Sequence, residues 1–123
     1  DNTVCAIVAN SSVACWGAGS VGQIGHGASP ASVHTPTYVS HISGIVDIAV
    51  GNNSACAVEK TGDVWCWGED NATFGRLGDG ELSSATSNTP VKAKIMNAFK
   101  ITGSNNSYYA LVDTSAIASA NPP

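Results

Sequence analysis

Four cysteines, Cys5, Cys15, Cys56 and Cys66, carry the most reactive side chains of this 123-residue chain. They form two pairs, each ten residues apart, and the pairs are offset by 51. A CxxC motif places two sulfurs on one metal ion or redox centre and needs two intervening residues, so this spacing is of another kind. Ten residues suit the two arms of a β-hairpin. For the second pair the midpoint falls in Lys60-Thr61-Gly62, a three-residue loop with glycine available for the left-handed position. Antiparallel pairing around it sets Val58 against Val64 and Cys56 against Cys66. Directly opposed residues bring Cβ atoms to ~4.5–5.5 Å, close to the ~3.5–4.5 Å a disulfide needs. Two chemistries stay open: a disulfide, which favours an exported protein, or a pair of buried thiols acting as small core residues.

The remaining reactive residues make a thin case for catalysis. His26, His34 and His41 are spaced by eight and seven, which matches no zinc pattern, and no cysteine lies at ligand spacing to them. His26 takes a turn position held by Asp79 in the next repeat and reads as a surface turn residue. His34 falls in a loop over 28–35, and His41 on a strand facing solvent. Six of the nine carboxylates lie between Glu59 and Glu81, but without the 1-3-5-12 spacing of a calcium loop. They read as turn residues, with Glu59 and Asp63 mildly repelling across the hairpin. Neither a nucleophile elbow nor a phosphate-loop lysine motif is present. No catalytic residue, metal or cofactor is expected.

Composition narrows the class further. Only 11% of residues are charged, the net charge is −4, and Lys and Arg total five. A nucleic-acid phosphate binder needs clustered basic residues, so that partner class is disfavoured. No apolar run approaches the length of a membrane span. The strong helix formers are scarce, which argues against a helical bundle.

The elements that hold these residues repeat. Cys5-Ala6-Ile7-Val8 aligns with Cys56-Ala57-Val58-Glu59, and Val13-Ala14-Cys15-Trp16-Gly17 with Val64-Trp65-Cys66-Trp67-Gly68. After a two-residue insertion, Gly22-Gln23-Ile24-Gly25-His26-Gly27 aligns with Gly75-Arg76-Leu77-Gly78-Asp79-Gly80. Thr35-Pro36 and Val46-Asp47-Ile48 find counterparts in Thr89-Pro90 and Phe99-Lys100-Ile101. At an offset of 53, residues 53–58 fall on 106–111, where Tyr109 and Ser119 replace both cysteines together. The organisation is thus a repeat over 1–51, a second over 52–104 and a hairpin-sized third over 105–123.

Each repeat reads as four short strands; in the second they are expected near 55–59, 64–68, 91–95 and 98–102. Several are apolar on both faces, as in Trp65-Cys66-Trp67, which implies sheets buried on both sides. Repeats of four antiparallel strands every 40–50 residues are the mark of propeller blades. The expected fold class is all-β, with about two and a half antiparallel four-stranded blades. Trp16 and Trp67 recur just before Gly17 and Gly68 and are expected between blades; Trp65, facing Ala14 of repeat 1, has no counterpart.

The ordered string Cys-Ala-Val, Val-Trp-Cys-Trp-Gly, Phe-Gly-Arg-Leu-Gly-Asp-Gly, Thr-Pro resembles the regulator of chromosome condensation repeat. The resemblance covers nearly the whole chain. It implies blades of a β-propeller, usually of seven, serving as an interaction scaffold. The cysteine pairs and low charge look like exported bacterial members. Arg76 departs from the glutamine seen at Gln23, and Ser104 stands where Gly51 would recur.

Two and a half blades do not close a ring, so the chain is either a fragment or self-associates, most simply as a twofold assembly. Residues 108–119 would then serve as a clasp completing a blade. The first functional expectation is a non-enzymatic module that binds a protein through a face or rim. The rim carrying Glu69, Asp70, Asn71, Phe74 and Arg76 is favoured because the repeats differ there. The alternative is a carbohydrate-binding or surface-adhesion propeller, marked by exposed Trp65 or Tyr108 beside asparagine. A third reading, a hydrolase or lyase, requires two carboxylates facing each other across a pocket.

Overall fold

The structure, a computed structural model, describes residues 2–69, 86–104 and 108–113. Nine antiparallel strands lie among them, in three sheets. Sheet 1 has the order β1 (Thr3–Ile7), β2 (Val13–Ala18), β3 (Ser32–Tyr38). Sheet 2 has the order β4 (Ile45–Val50), β5 (Ser54–Glu59), β6 (Val64–Gly68), β7 (Ser87–Lys92). Sheet 3 contains β8 (Ala98–Gly103) and β9 (Tyr108–Val112).

The hairpin register is the one the cysteine spacing implies. Cys56 opposes Cys66 and Val58 opposes Val64; Cys5 opposes Cys15 in sheet 1. Gly62, at φ +95°, closes the turn and donates its N–H to Glu59 O at 2.8 Å. Both cysteine pairs are bonded, each with a Cα–Cα distance of 4.1 Å. Of the two chemistries left open by spacing, the structure has the disulfide.

Side chains on β5 and β6 alternate, as period two demands. Ala55, Ala57 and Trp67 join Val13, Cys15, Ile24 and Ile45 in a core between sheets 1 and 2. The intervening Cys56, Val58, Val64 and Cys66 join Ala98 and Ile101 in a second core between sheets 2 and 3. Sheet 2 is therefore buried on both faces, which is why its strands read as nearly continuous apolar runs.

Two expectations shift. The third strand of the second repeat runs 87–92 rather than near 91–95, and includes Pro90; β3 likewise includes Pro36. Both strands lie at the end of their sheet's strand order, where a missing N–H costs no ladder bond. Second, the sheets are phased differently from the sequence repeat. The repeat boundary at 51/52 falls between β4 and β5, which pair within one sheet. The last strand of each repeat therefore opens the following sheet. Self-similarity fixes a period but not its phase; hydrogen bonding between strands sets the phase.

The recurring Trp-Gly pair has a local cause. The register of β2 on β3 shifts between Cys15 and Gly17, and that of β6 on β7 between Cys66 and Gly68. The extra residues lie on the partner strand, where His34, Thr35 and Pro36 stand against Trp16 and Asn88, Thr89 and Pro90 against Trp67, and the glycine after each tryptophan takes φ of +103° or +101°. A Cβ on Gly68 would come within 2.5 Å of Asn53 O, and one on Gly17 would collide with Asn2 O. Only glycine satisfies both demands.

Candidate functional site

The two ends of the sheets differ in what they offer. At the end expected to bind, Glu69 is half-buried. Its N–H donates to Asn53 O at 2.9 Å, and its Oε2 accepts from Asn53 Nδ2 at 3.0 Å. The rest of that rim, Asp70, Asn71, Phe74 and Arg76, lies outside the described residues, as do Gly75, Gly78 and Gly80. In sheet 1 the counterpart loop acts as a bridge. Gly27 N–H donates to Asn88 O at 2.8 Å, and Trp67 Nε1–H donates to Gln23 O at 2.8 Å. Gly25, at φ +80°, lies so close to the Trp67 ring that a Cβ would come within 2.8 Å of it. Gly22, Gly25 and Gly27 are thus part of the joint between sheets.

Trp67 is 0% exposed in that joint, as its recurrence implies. Trp16, its counterpart, is only half-buried, because no sheet among the described residues covers that face of sheet 1. Trp65 is half-buried and donates Nε1–H to Glu59 Oε1 at 3.1 Å. Tyr108 is half-buried, its hydroxyl 3.0 Å from Gly51 N and 2.8 Å from Ser54 Oγ. Neither ring is presented for sugar stacking.

Glu59 and Asp63 do not simply repel. The Thr61 hydroxyl lies 3.1 Å from an oxygen of each, and Lys92 Nζ is 3.4 Å from Asp63 Oδ1. Together with the Trp65 N–H, these donors hold the two carboxylates as a structural network on the hairpin. The histidines are placed differently from expectation. His26 is half-buried with Nδ1 sealed from solvent, because its loop is folded into the joint. His34 is on β3, and His41 is in a turn at φ +67°. No group of three or more His, Cys, Asp or Glu side chains among the described residues could hold a metal ion. No helix among them is long and apolar enough to cross a membrane.

The opposite end holds a feature that repeat comparison missed. The register of β8 on β9 shifts between Ala98 and Lys100, leaving Phe99 as the bulged residue, as Val46 is in β4. A bulge re-aims its side chain, and Phe99 is 57% exposed. Beside it an open cleft of about 510 Å³ runs between the Lys60-Thr61-Gly62 turn and Asn97, Phe99 and Val112. Two backbone bonds fix its floor: Ala98 N–H to Gly62 O at 3.0 Å and Asp113 N–H to Asn97 O at 2.9 Å. Ile95 and Met96, in the turn leading to β8, are exposed at the same end. The sequence signal was available: Met96 and Phe99 are large apolar residues flanking a turn.

Antiparallel sheets stacked face to face, each joined to the next by loop and side-chain bonds, are the blades of a β-propeller. Profiles described as the regulator of chromosome condensation (RCC1) repeat match residues 12–58 and 45–76, and the chain belongs to that repeat family. It is 37% identical over 79 residues to the human E3 ubiquitin-protein ligase HERC2, a match covering 61% of this chain and 2% of that protein. It is 35% identical over 91 residues to the ultraviolet-B receptor UVR8 of Arabidopsis thaliana, covering 72% of this chain and 20% of the receptor. The chain thus spans a small part of these relatives. Among solved structures it is similar to yeast RCC1 (Prp20) bound to Kap60, with a TM-score of 0.72 at 19% identity over 91% of this chain and 28% of that one. It is also similar to Prp20p of Saccharomyces cerevisiae, a structure described with binding to Gsp1p and histones. There the TM-score is 0.74 at 17% identity, over 92% of this chain and 30% of that one. At such identities the likeness establishes the fold alone.

Proposed function

We propose that this chain is a non-catalytic interaction module that binds a protein partner at the end of its blades where Phe99 is exposed. The observation that carries the reading is the cleft of about 510 Å³ between Lys60 and Phe99. The exposed Ile95 and Met96 immediately precede its lining residue Asn97 in the chain, and the Lys60-Thr61-Gly62 turn on its other side belongs to the hairpin that the Cys56–Cys66 disulfide cross-links. Clustered exposed apolar residues rimmed by polar ones mark protein contact surfaces, and methionine and aromatic residues are enriched there. The names of the solved relatives, with Kap60, Gsp1p and histones as ligands, support a protein rather than a small molecule. The half-buried, hydrogen-bonded Trp65 and Tyr108 leave the carbohydrate reading without its expected aromatic platform.

Affinity capture from source-cell extract with the wild-type chain and Phe99→Asp, beside a glycan array, tests this. Proteins retained by wild type and lost with Phe99→Asp support the proposal. Loss with Glu69→Lys but not Phe99→Asp moves the contact to the opposite rim, and binding confined to the glycan array overturns it.

A further inference from the structure

Val46 in β4 and Phe99 in β8 are each the extra residue of a bulge, at the same position of neighbouring sheets. Val46 is 53% exposed although sheet 1 packs on one face of its sheet and sheet 3 on the other; Phe99 is 57% exposed. Exposure at this position therefore comes from the bulge and does not depend on what lies beyond the first or last sheet. The Lys60-Thr61-Gly62 turn is tied to both. Lys60 N–H donates to the O of Gly44, two residues before Val46, at 2.9 Å. Gly62 O accepts from the N–H of Ala98, one residue before Phe99, at 3.0 Å. Stacked sheets stand about 10 Å apart, so two apolar side chains at that spacing are bridged by a turn that carries a cation. The charges at this end differ in their pairing. Glu59 is held by the Trp65 N–H, and Asp63 by Lys92. Lys60 and Lys94 are exposed and have no ion pair among the described residues. Asp113 lines the β9 side of the cleft; the unpaired cations lie on the sheet 2 side and in the turn leading to β8.

We infer, resting on the reading above that a protein binds at this end, that the bound segment is both apolar and acidic. One large apolar side chain enters the cleft beside Phe99, a second packs on Val46, and a carboxylate between them pairs with Lys60. About three to four residues of extended chain, at ~3.3 Å each, cover the step between the sheets. The two apolar contacts exclude water from the ion pair, which strengthens it over a fully solvated one. A nucleic-acid strand fits the same surface poorly, because its phosphates would meet Glu59, Asp63 and Asp113 as well as the two lysines.

The test is selection of a phage-displayed random peptide library on the protein with its disulfides intact, then fluorescence-anisotropy titration of the enriched peptides. Wild type should enrich sequences that carry Asp or Glu close to two of Leu, Phe, Met or Trp. Their affinity should fall about tenfold with Phe99→Asp or Val46→Asp and about fivefold with Lys60→Gln. High salt should shrink the difference between wild type and Lys60→Gln. Lys60→Glu should select Lys or Arg in place of the carboxylate. All three positions are exposed, so each variant should keep the wild-type circular dichroism. Peptides that weaken with Phe99→Asp but show no acidic preference and no response to Lys60→Gln overturn the acidic partner and leave the protein-binding end standing. Unchanged affinity with Val46→Asp overturns the two-anchor segment. Enriched sequences that match a stretch of the protein itself make the occupant its own chain and overturn a separate partner. Peptides indifferent to Phe99→Asp, or no enrichment on wild type, overturn both this inference and the reading it rests on.

Discussion

Replacing Cys56 and Cys66 together by alanine should lower the folding stability of this chain by about 3–4 kcal/mol. Each disulfide closes a loop with a sequence separation of 10. Constraining a loop of that length in the unfolded chain contributes about 2.7 kcal/mol at 25 °C in the chain-entropy description. Cys56 and Cys66 are both buried in the core between sheets 2 and 3, so losing the two sulfurs adds a cavity cost of about 1 kcal/mol. The Cys5–Cys15 pair closes a loop of the same length, but Cys5 is only half-buried. Its double-alanine variant should lose the entropic part with less of the cavity part. The assay is guanidinium unfolding by far-UV circular dichroism at fixed protein concentration, since association changes apparent stability. In thermal melts the loss corresponds to roughly 8–15 °C. A loss below about 1 kcal/mol for both pairs would refute the loop-closure reasoning. A larger loss for Cys5–Cys15 than for Cys56–Cys66 would refute the assignment of the extra cost to burial.

Two further substitutions probe the joints between sheets. Trp67→Phe keeps an aromatic ring but removes the N–H that Gln23 O accepts, and should cost about 1–3 kcal/mol in urea unfolding with an unchanged slope. Asp47→Ala removes the Oδ2 that accepts from Ile101 N–H at 2.8 Å, a bond from sheet 2 to the backbone of sheet 3. It should cost about 1.5–3 kcal/mol, and hydrogen exchange at the Ile101 amide should speed up while the amides of β1 and β2 keep their protection.

Amino-acid order alone determined what is local or periodic. A ten-residue spacing around Lys60-Thr61-Gly62 specified the hairpin and its register, because an antiparallel pair folds about its own turn. Alternating apolar side chains on β5 and β6 specified a sheet buried on both faces, because strand side chains have period two. The recurring Trp-Gly was visible as a pattern, but that it faces an irregular, longer stretch of the partner strand emerges only from the pairing.

What joins distant parts of the chain was decided by the tertiary structure. Trp16 and Trp67 hold the same repeat position, yet only Trp67 is fully buried, because burial depends on which sheet lies opposite. Pairing of β4 with β5 set the blade boundary, which a periodic sequence leaves free to slide. The cleft beside Phe99 escaped repeat comparison for the same reason. It is formed by a bulge in β8 and a turn from the preceding sheet, residues some 37 positions apart that only stacking of the sheets brings together.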